Sequence, residues 1–89
     1  MKVLKFGASW CLGCKVMKPR WRQIEEEHSW LQTTYIDYDE NPDVVKQYQV
    51  DDVLPQCIFL DSKGNEIDRK KGELTKEQII ALITKYKDK

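Results

Sequence analysis

The chain has 89 residues, 40% of them hydrophobic and 34% charged, which suits one soluble globular unit with a single modest core. Fifteen basic residues balance fifteen acidic ones, so no net field points to nucleic acid, a membrane surface or an acidic partner. No apolar stretch approaches the length of a membrane span, and three cysteines are too few, and odd in number, for the disulfide framework of a secreted mini-protein.

The start, Met1-Lys2-Val3-Leu4-Lys5, has neither a signal-peptide core nor a cleavage site, so a cytoplasmic protein is expected. Val3 to Gly7 is apolar except for Lys5 and reads as a buried strand. Trp10-Cys11-Leu12-Gly13-Cys14 follows where this strand gives way to a helical pattern. Val16, Met17, Trp21 and Ile24 form the apolar stripe of that helix, Pro19 is expected to kink it, and Glu25 to His28 end it in solvent.

Thr33 to Tyr38 is rich in β-branched and aromatic residues and predicts a second strand. Asn41 and Pro42 are N-cap and first-turn chemistry for a short helix carrying Val44, Val45 and Tyr48. After Leu54-Pro55, a strand is predicted over Gln56 to Leu60, then a turn at Asp61 to Asn65 and a hairpin partner over Glu66 to Lys71. Thr75 and Gln78 form a capping box for a last helix whose stripe is Ile79, Leu82, Ile83 and Tyr86. The order βαβαββα predicts an α/β domain over 1–89: a four-stranded mixed sheet, its first two strands parallel, flanked by three helices.

The cysteine pair then lies at the carboxyl end of the first strand, where open α/β sheets place their chemistry. At the first turn of a helix the amides lack intrahelical acceptors and the macrodipole is positive, so a thiolate at Cys11 is favoured. Two intervening residues let Cys14 turn back to resolve a mixed disulfide. A structural disulfide or half of a zinc site is the alternative for the pair, and a soft-metal carrier the most distant reading; no second CxxC or CxxH supports either. No metal and no cofactor are expected. His28, the only histidine, is read as a solvated surface residue.

Phe6 to Lys15 with its CxxC, then Pro19, Asp39 to Pro42, Leu54-Pro55 and Gly72 resemble the thioredoxin family almost end to end. The resemblance implies that Cys11 is the nucleophile, Cys14 the buried resolving thiol and Trp10 a packing residue beside the site. It also implies a cis-proline at Pro55 and a shallow substrate groove at Leu12, Gly13, Leu54 and Gly72. The implied activity is reduction or exchange of protein disulfides, with a reductase or glutathione as electron donor. The alternative function is a peptide-binding or redox-sensing module of the same fold.

Three features depart from that family. Its members usually begin with an additional strand and helix, which nothing before Val3 supplies, so Gln32 to Tyr38 is expected at a sheet edge and the protein as a monomer or a weak dimer through that edge. Leu12-Gly13 stands where thioredoxins carry Gly-Pro, leaving reductant or oxidant open. Lys5 stands where they carry a buried acid; its ammonium either pairs with a thiolate, or snorkels or pairs with an acid such as Asp39. Cys57 is read as a buried inert thiol, or else as a third thiol that reacts with Cys11. Trp21 and Trp30 are read as packing residues and Arg69-Lys70-Lys71 as a solvated strand end.

Overall fold

A computed structural model describes residues 1–89. Its elements run β1 (Lys2–Gly7), α1 (Leu12–Glu27), β2 (Gln32–Asp37), α2 (Pro42–Gln47), β3 (Gln56–Leu60), β4 (Glu66–Lys71) and α3 (Lys76–Tyr86). The predicted order βαβαββα is the observed one. The four strands form one sheet in the order β2-β1-β3-β4. β1 pairs with β2 in parallel and with β3 antiparallel, and β3 and β4 form the hairpin, with an irregularity between Phe59 and Leu60. β2 lies at an edge, as expected.

Alternation along the strands builds two cores. Val3, Cys57 and Phe59 face α1 and α3, where Met17, Trp21, Ile24, Ile79 and Ile83 complete a cluster of eight buried residues. Leu4, Phe6, Ile36, Ile58 and Leu60 face the other way, joined by Val50 and partly covered by Val44, Val45 and Tyr48. The stripe of α1 therefore holds at Met17, Trp21 and Ile24, whereas Val16 points to solvent. The helix runs on through Pro19, which lies on its exposed side.

Local chemistry sets the ends of the elements. Thr75 and Gln78 make both bonds of the predicted capping box. Asn41 is the N-cap of α2, but its side chain makes no cap bond; its Nδ2 donates instead to the Asp37 carbonyl, tying α2 to the end of β2. His28 is not free in solvent: it sits at the C-cap of α1, with Nδ1 2.9 Å from the Ile24 carbonyl and its ring edge-on to Trp30. Nor is Arg69 a solvated strand end. Its guanidinium reaches the Tyr48 and Gln49 carbonyls, Glu66 and the Oε1 of buried Gln56, clamping β4 to the segment after α2.

Candidate functional site

Gly7 ends β1 and Leu12 begins α1, so Trp10 and Cys11 stand on the turn between them. Cys11 is the N-cap of α1: its backbone is extended and its Sγ accepts the Cys14 amide at 3.1 Å. A sulfur placed there meets amides without intrahelical acceptors and the positive end of the helix, the setting that favours a thiolate. No acidic residue in the first turn opposes this. Cys11 and Cys14 are joined as a disulfide, with their Cα atoms 5.3 Å apart.

Of the two, Cys11 is the more enclosed, 6% exposed, and Cys14 is the partly open one. The expectation of a buried Cys14 thiol thus meets a residue of intermediate exposure whose sulfur packs on Gly7. Gly7 lets both neighbours close in: a Cβ built there would lie 3.2 Å from Cys14 Sγ and 2.9 Å from the Tyr35 hydroxyl, so the Cys14 sulfur packs against β1 where a side chain would stand. A cavity of about 460 Å³ lies between α1 and the strands, with Cys14 but not Cys11 among its lining residues.

Trp10 is more than half exposed, and its Nε1 donates to Asp39 Oδ2 at 2.8 Å. The bond ties the cysteine turn to the turn after β2, which Asp37 Oδ1 shapes by accepting the Asp39 and Glu40 amides. On the other side, a Cβ on Gly13 would lie 3.0 Å from Pro55 Cδ and 3.3 Å from Glu73 Cγ, so the first turn of α1 approaches this loop as closely as a glycine permits. The Leu54–Pro55 peptide bond is cis. Gly72, at a positive φ of 90°, donates its amide to the Pro55 carbonyl at 2.7 Å. Gly13, Pro55 and Gly72 thus come together. Leu12 projects outward, 77% exposed, whereas Leu54 turns partly into the core under α2 and anchors the loop.

Lys5 meets neither a thiolate nor Asp39. Its Nζ donates to Glu25 Oε2 at 2.7 Å and lies over the Trp21 ring, and the same carboxylate oxygen accepts the Thr33 hydroxyl. Glu25 is eleven residues beyond Cys14 on α1, about 16 Å along the axis, so the ammonium is drawn away from the disulfide. Glu25 consequently does not end in solvent. Cys57 lies opposite Lys5 in the sheet register and on the same cavity wall. It is buried, and burial pushes its thiol up to about 12 from 9.0, so it stays protonated and unreactive at neutral pH.

Sequence reasoning missed Tyr35 and Glu25. Tyr35 forms the open side of the cavity, and its hydroxyl is raised by partial burial and then by Asp37 and Glu40. Its signal was the register of the parallel pair, which sets Tyr35 beside Lys5. Glu25 lies four residues after Trp21, on the buried side of α1, and so was the acid best placed for a lysine inside β1. No group of three or more His, Cys, Asp or Glu side chains converges to hold a metal ion. No helix is long and apolar enough to cross a membrane.

The family model Thioredoxin matches residues 1–85. The thioredoxin of Chlamydia caviae is 31% identical over 84 residues, covering 94% of this chain and 80% of that protein. Among solved structures, the thioredoxin NaTrxh from Nicotiana alata superposes with a TM-score of 0.87 at 29% identity, covering 96% of this chain and 71% of that one. Thioredoxin 1 from Thermosipho africanus does so with a TM-score of 0.82 at 30% identity, covering 97% and 93%. With its cysteine pair at CxxC spacing on this fold, the chain belongs to the thioredoxin family and is a dithiol/disulfide oxidoreductase, a class acting on disulfide-containing protein substrates.

Proposed function

We propose that residues 1–89 act as a single reductase domain in which Cys11 is the nucleophile and Cys14 the resolving thiol. The Cys11 thiolate attacks one sulfur of a substrate disulfide, the substrate's other sulfur leaves as a thiolate, and a mixed disulfide forms on Cys11. Cys14, deprotonated, then attacks Cys11 Sγ, releasing the second substrate thiol and closing the Cys11–Cys14 disulfide. Two electrons pass to the substrate. The observation that carries this assignment is the amide of Cys14 donating to Cys11 Sγ at the N-cap, a bond that stabilises negative charge on Cys11 alone.

The surroundings support the same roles. Trp10, held by Asp39, and the exposed Leu12 offer an apolar rim on either side of Cys11. Pro55 lacks an amide hydrogen, so an extended substrate segment lying beside it faces no competing donor there, and the Gly72 amide is turned back onto the Pro55 carbonyl. Lys5 and Cys57 are supporting residues of the wall, not participants. The oxidised pair is recharged by a reductase or by glutathione, an electron-transport role in a cytoplasmic setting suited to so few cysteines. The protein works as a monomer or a weak dimer through β2.

Turnover of insulin disulfides with dithiothreitol as donor tests the assignment. Cys11→Ser is expected to abolish turnover, a loss of about a thousandfold or more. Cys14→Ser is expected to trap substrate as a stable mixed disulfide on Cys11. A trapped adduct in Cys11→Ser but not in Cys14→Ser would reverse the roles.

A further inference from the structure

A resolving thiol must become a thiolate before it can close the disulfide, and the cap geometry spends the Cys14 amide on Cys11 instead. The first turn of α1 supplies no carboxylate. The one acid on the cavity wall, Glu25, is held by Lys5 and the Thr33 hydroxyl. Cys57, on the same wall, is kept protonated by burial.

One polar hydrogen is placed beside the Cys14 sulfur from another element. Lys5 and Tyr35 are partners in the parallel β1–β2 register, so Tyr35 leaves the sheet on the face of Lys5 and Gly7. With no side chain on Gly7, the tyrosine lies across β1: the point where a Cβ would stand is 2.9 Å from its hydroxyl and 3.2 Å from Cys14 Sγ. Oxygen and sulfur thus flank one empty position. Tyr35 is more than half exposed, so a rotation of its side chain toward the sulfur meets little resistance. Partial burial first, then Asp37 and Glu40, raise the hydroxyl above its ordinary 10.0, so it keeps its proton where thiols ionise. A protonated phenol facing a thiolate is a donor, not a base.

We propose that Tyr35 is a catalytic residue of the resolving step, its hydroxyl donating a hydrogen bond to the Cys14 thiolate across Gly7. This rests on Cys14 being the resolving thiol. The Cys14 thiol loses its proton to solvent, the thiolate takes the Tyr35 hydrogen bond, and its sulfur attacks Cys11 Sγ of the mixed disulfide. The Cys11–Cys14 bond forms, the bond from Cys11 to the substrate breaks, and the electron pair leaves on the substrate sulfur, which takes a proton. Such a bond lowers the pKa of the thiol by about one unit, which raises the thiolate fraction near neutral pH about tenfold. The bonded thiolate is also about threefold less nucleophilic, so a gain of about threefold remains near neutral pH and a loss of about threefold once the thiol is fully ionised.

The test mixes reduced protein in a stopped flow with an equimolar amount of the disulfide of thionitrobenzoate. One coloured thiolate is released when Cys11 attacks, at a rate that depends on concentration, and a second when Cys14 closes the ring, at a rate that does not. Tyr35→Phe keeps the ring and removes the donor. The other charged or titratable groups on the wall, Lys5, Lys15, Lys18, Arg22, Glu25 and Cys57, and the Asp37 and Glu40 that act on Tyr35, are the same in both proteins. The variant is expected to keep the first phase, to slow the second about threefold near neutral pH, to quicken it about threefold in alkali, and to move its midpoint up by about one pH unit. A second phase with the native profile overturns the proposal, and so does one slowed equally at every pH, which a merely structural tyrosine would give. Cys14→Ser is expected to lose the second phase and Cys11→Ser the first. If Cys14→Ser loses the first phase and Cys11→Ser keeps it, the assignment of roles fails and the proposal with it. If both cysteine variants behave as expected and Tyr35→Phe does not, the proposal alone fails.

Discussion

The two faces of the sheet are covered unequally, and the better-covered face is the one with the hole. α1 and α3, of 16 and 11 residues, lie over Val3, Cys57 and Phe59, yet this side contains the cavity of about 460 Å³. The opposite side has only the six-residue α2, none of whose residues is fully buried, and still encloses Leu4, Phe6 and Ile58 to 5% exposure or less. The cause lies in the alternation along β1. Val3, Lys5 and Gly7 point one way and Leu4 and Phe6 the other, so a polar residue and a missing side chain loosen one face while two large apolar residues fill the other. Residues that lower packing density are concentrated beside Cys14, and stability is drawn from the far side and from the end of the sheet under α3.

Two large-to-small changes give the widest separation. Phe59→Ala and Phe6→Ala each remove a ring 1% exposed or less, Phe59 from beside Tyr86 and Phe6 from beside Tyr48. Each is expected to destabilise by about 3–5 kcal/mol, read from urea unfolding midpoints. The comparison breaks if Phe6→Ala loses less than about 1 kcal/mol, because the face under α2 would then not be a packed core.

The Lys5–Glu25 pair comes next. Both side chains are partly screened by solvent, 18% and 32% exposed, so Glu25→Ala is expected to lose about 1–2 kcal/mol, chiefly through the ammonium left beside Trp21 and the unpaired Thr33 hydroxyl. Lys5→Met, which replaces the stem with an apolar one, is expected to stay within about 1 kcal/mol of the native protein. A large loss in Lys5→Met would show that the charge itself holds α1 to the sheet. Gly7→Ala follows: its Cβ meets the movable end of Tyr35 and the Cys14 sulfur, so a loss of about 1 kcal/mol is expected, read from the urea midpoint.

Most of the architecture was legible because it rests on local signals. The CxxC at a strand-to-helix junction, the Thr75–Gln78 capping box and the turn at Asp61 to Asn65 each follow from a few neighbouring residues, and each stands where it was read. The approach of Gly13 to Pro55 is not local; both were set at one groove by the resemblance to thioredoxins and not by neighbouring residues. What escaped were side-chain partners far apart in sequence: Lys5 with Glu25, Arg69 with the carbonyls after α2, and Tyr35 with the space over Gly7. Their choice depends on strand register and on the rotation of α1 about its axis, which no local pattern contains. The close packing of the Cys14 sulfur on Gly7 escaped for the same reason, since Gly7 lies across a turn and outside the motif.

The smallest effect concerns the solid end of the cavity face, where the Tyr86 hydroxyl donates to Asp68 Oδ2 at 2.7 Å and links α3 to β4. Partial burial alone would raise Asp68, but the bonds from Tyr86 and the Arg69 amide, with Lys70 nearby, outweigh it and hold the carboxyl below its ordinary 3.8. The same bond raises Tyr86 above 10.0. A carboxylate depressed in the folded state binds fewer protons there than in the unfolded chain, so its stabilisation is complete above 3.8 and is lost as pH falls through the folded value. Tyr86→Phe keeps the ring against Phe59 and removes only the donor. Its Tm is therefore expected a little below that of the native protein at neutral pH, with the gap narrowing in acid as pH falls below 3.8 and through the folded value of Asp68. A gap that stays constant between neutral pH and acid would mean that α3 is held to this edge of the sheet by packing alone, and the contrast between the solid and the open end of the face would then owe nothing to charge.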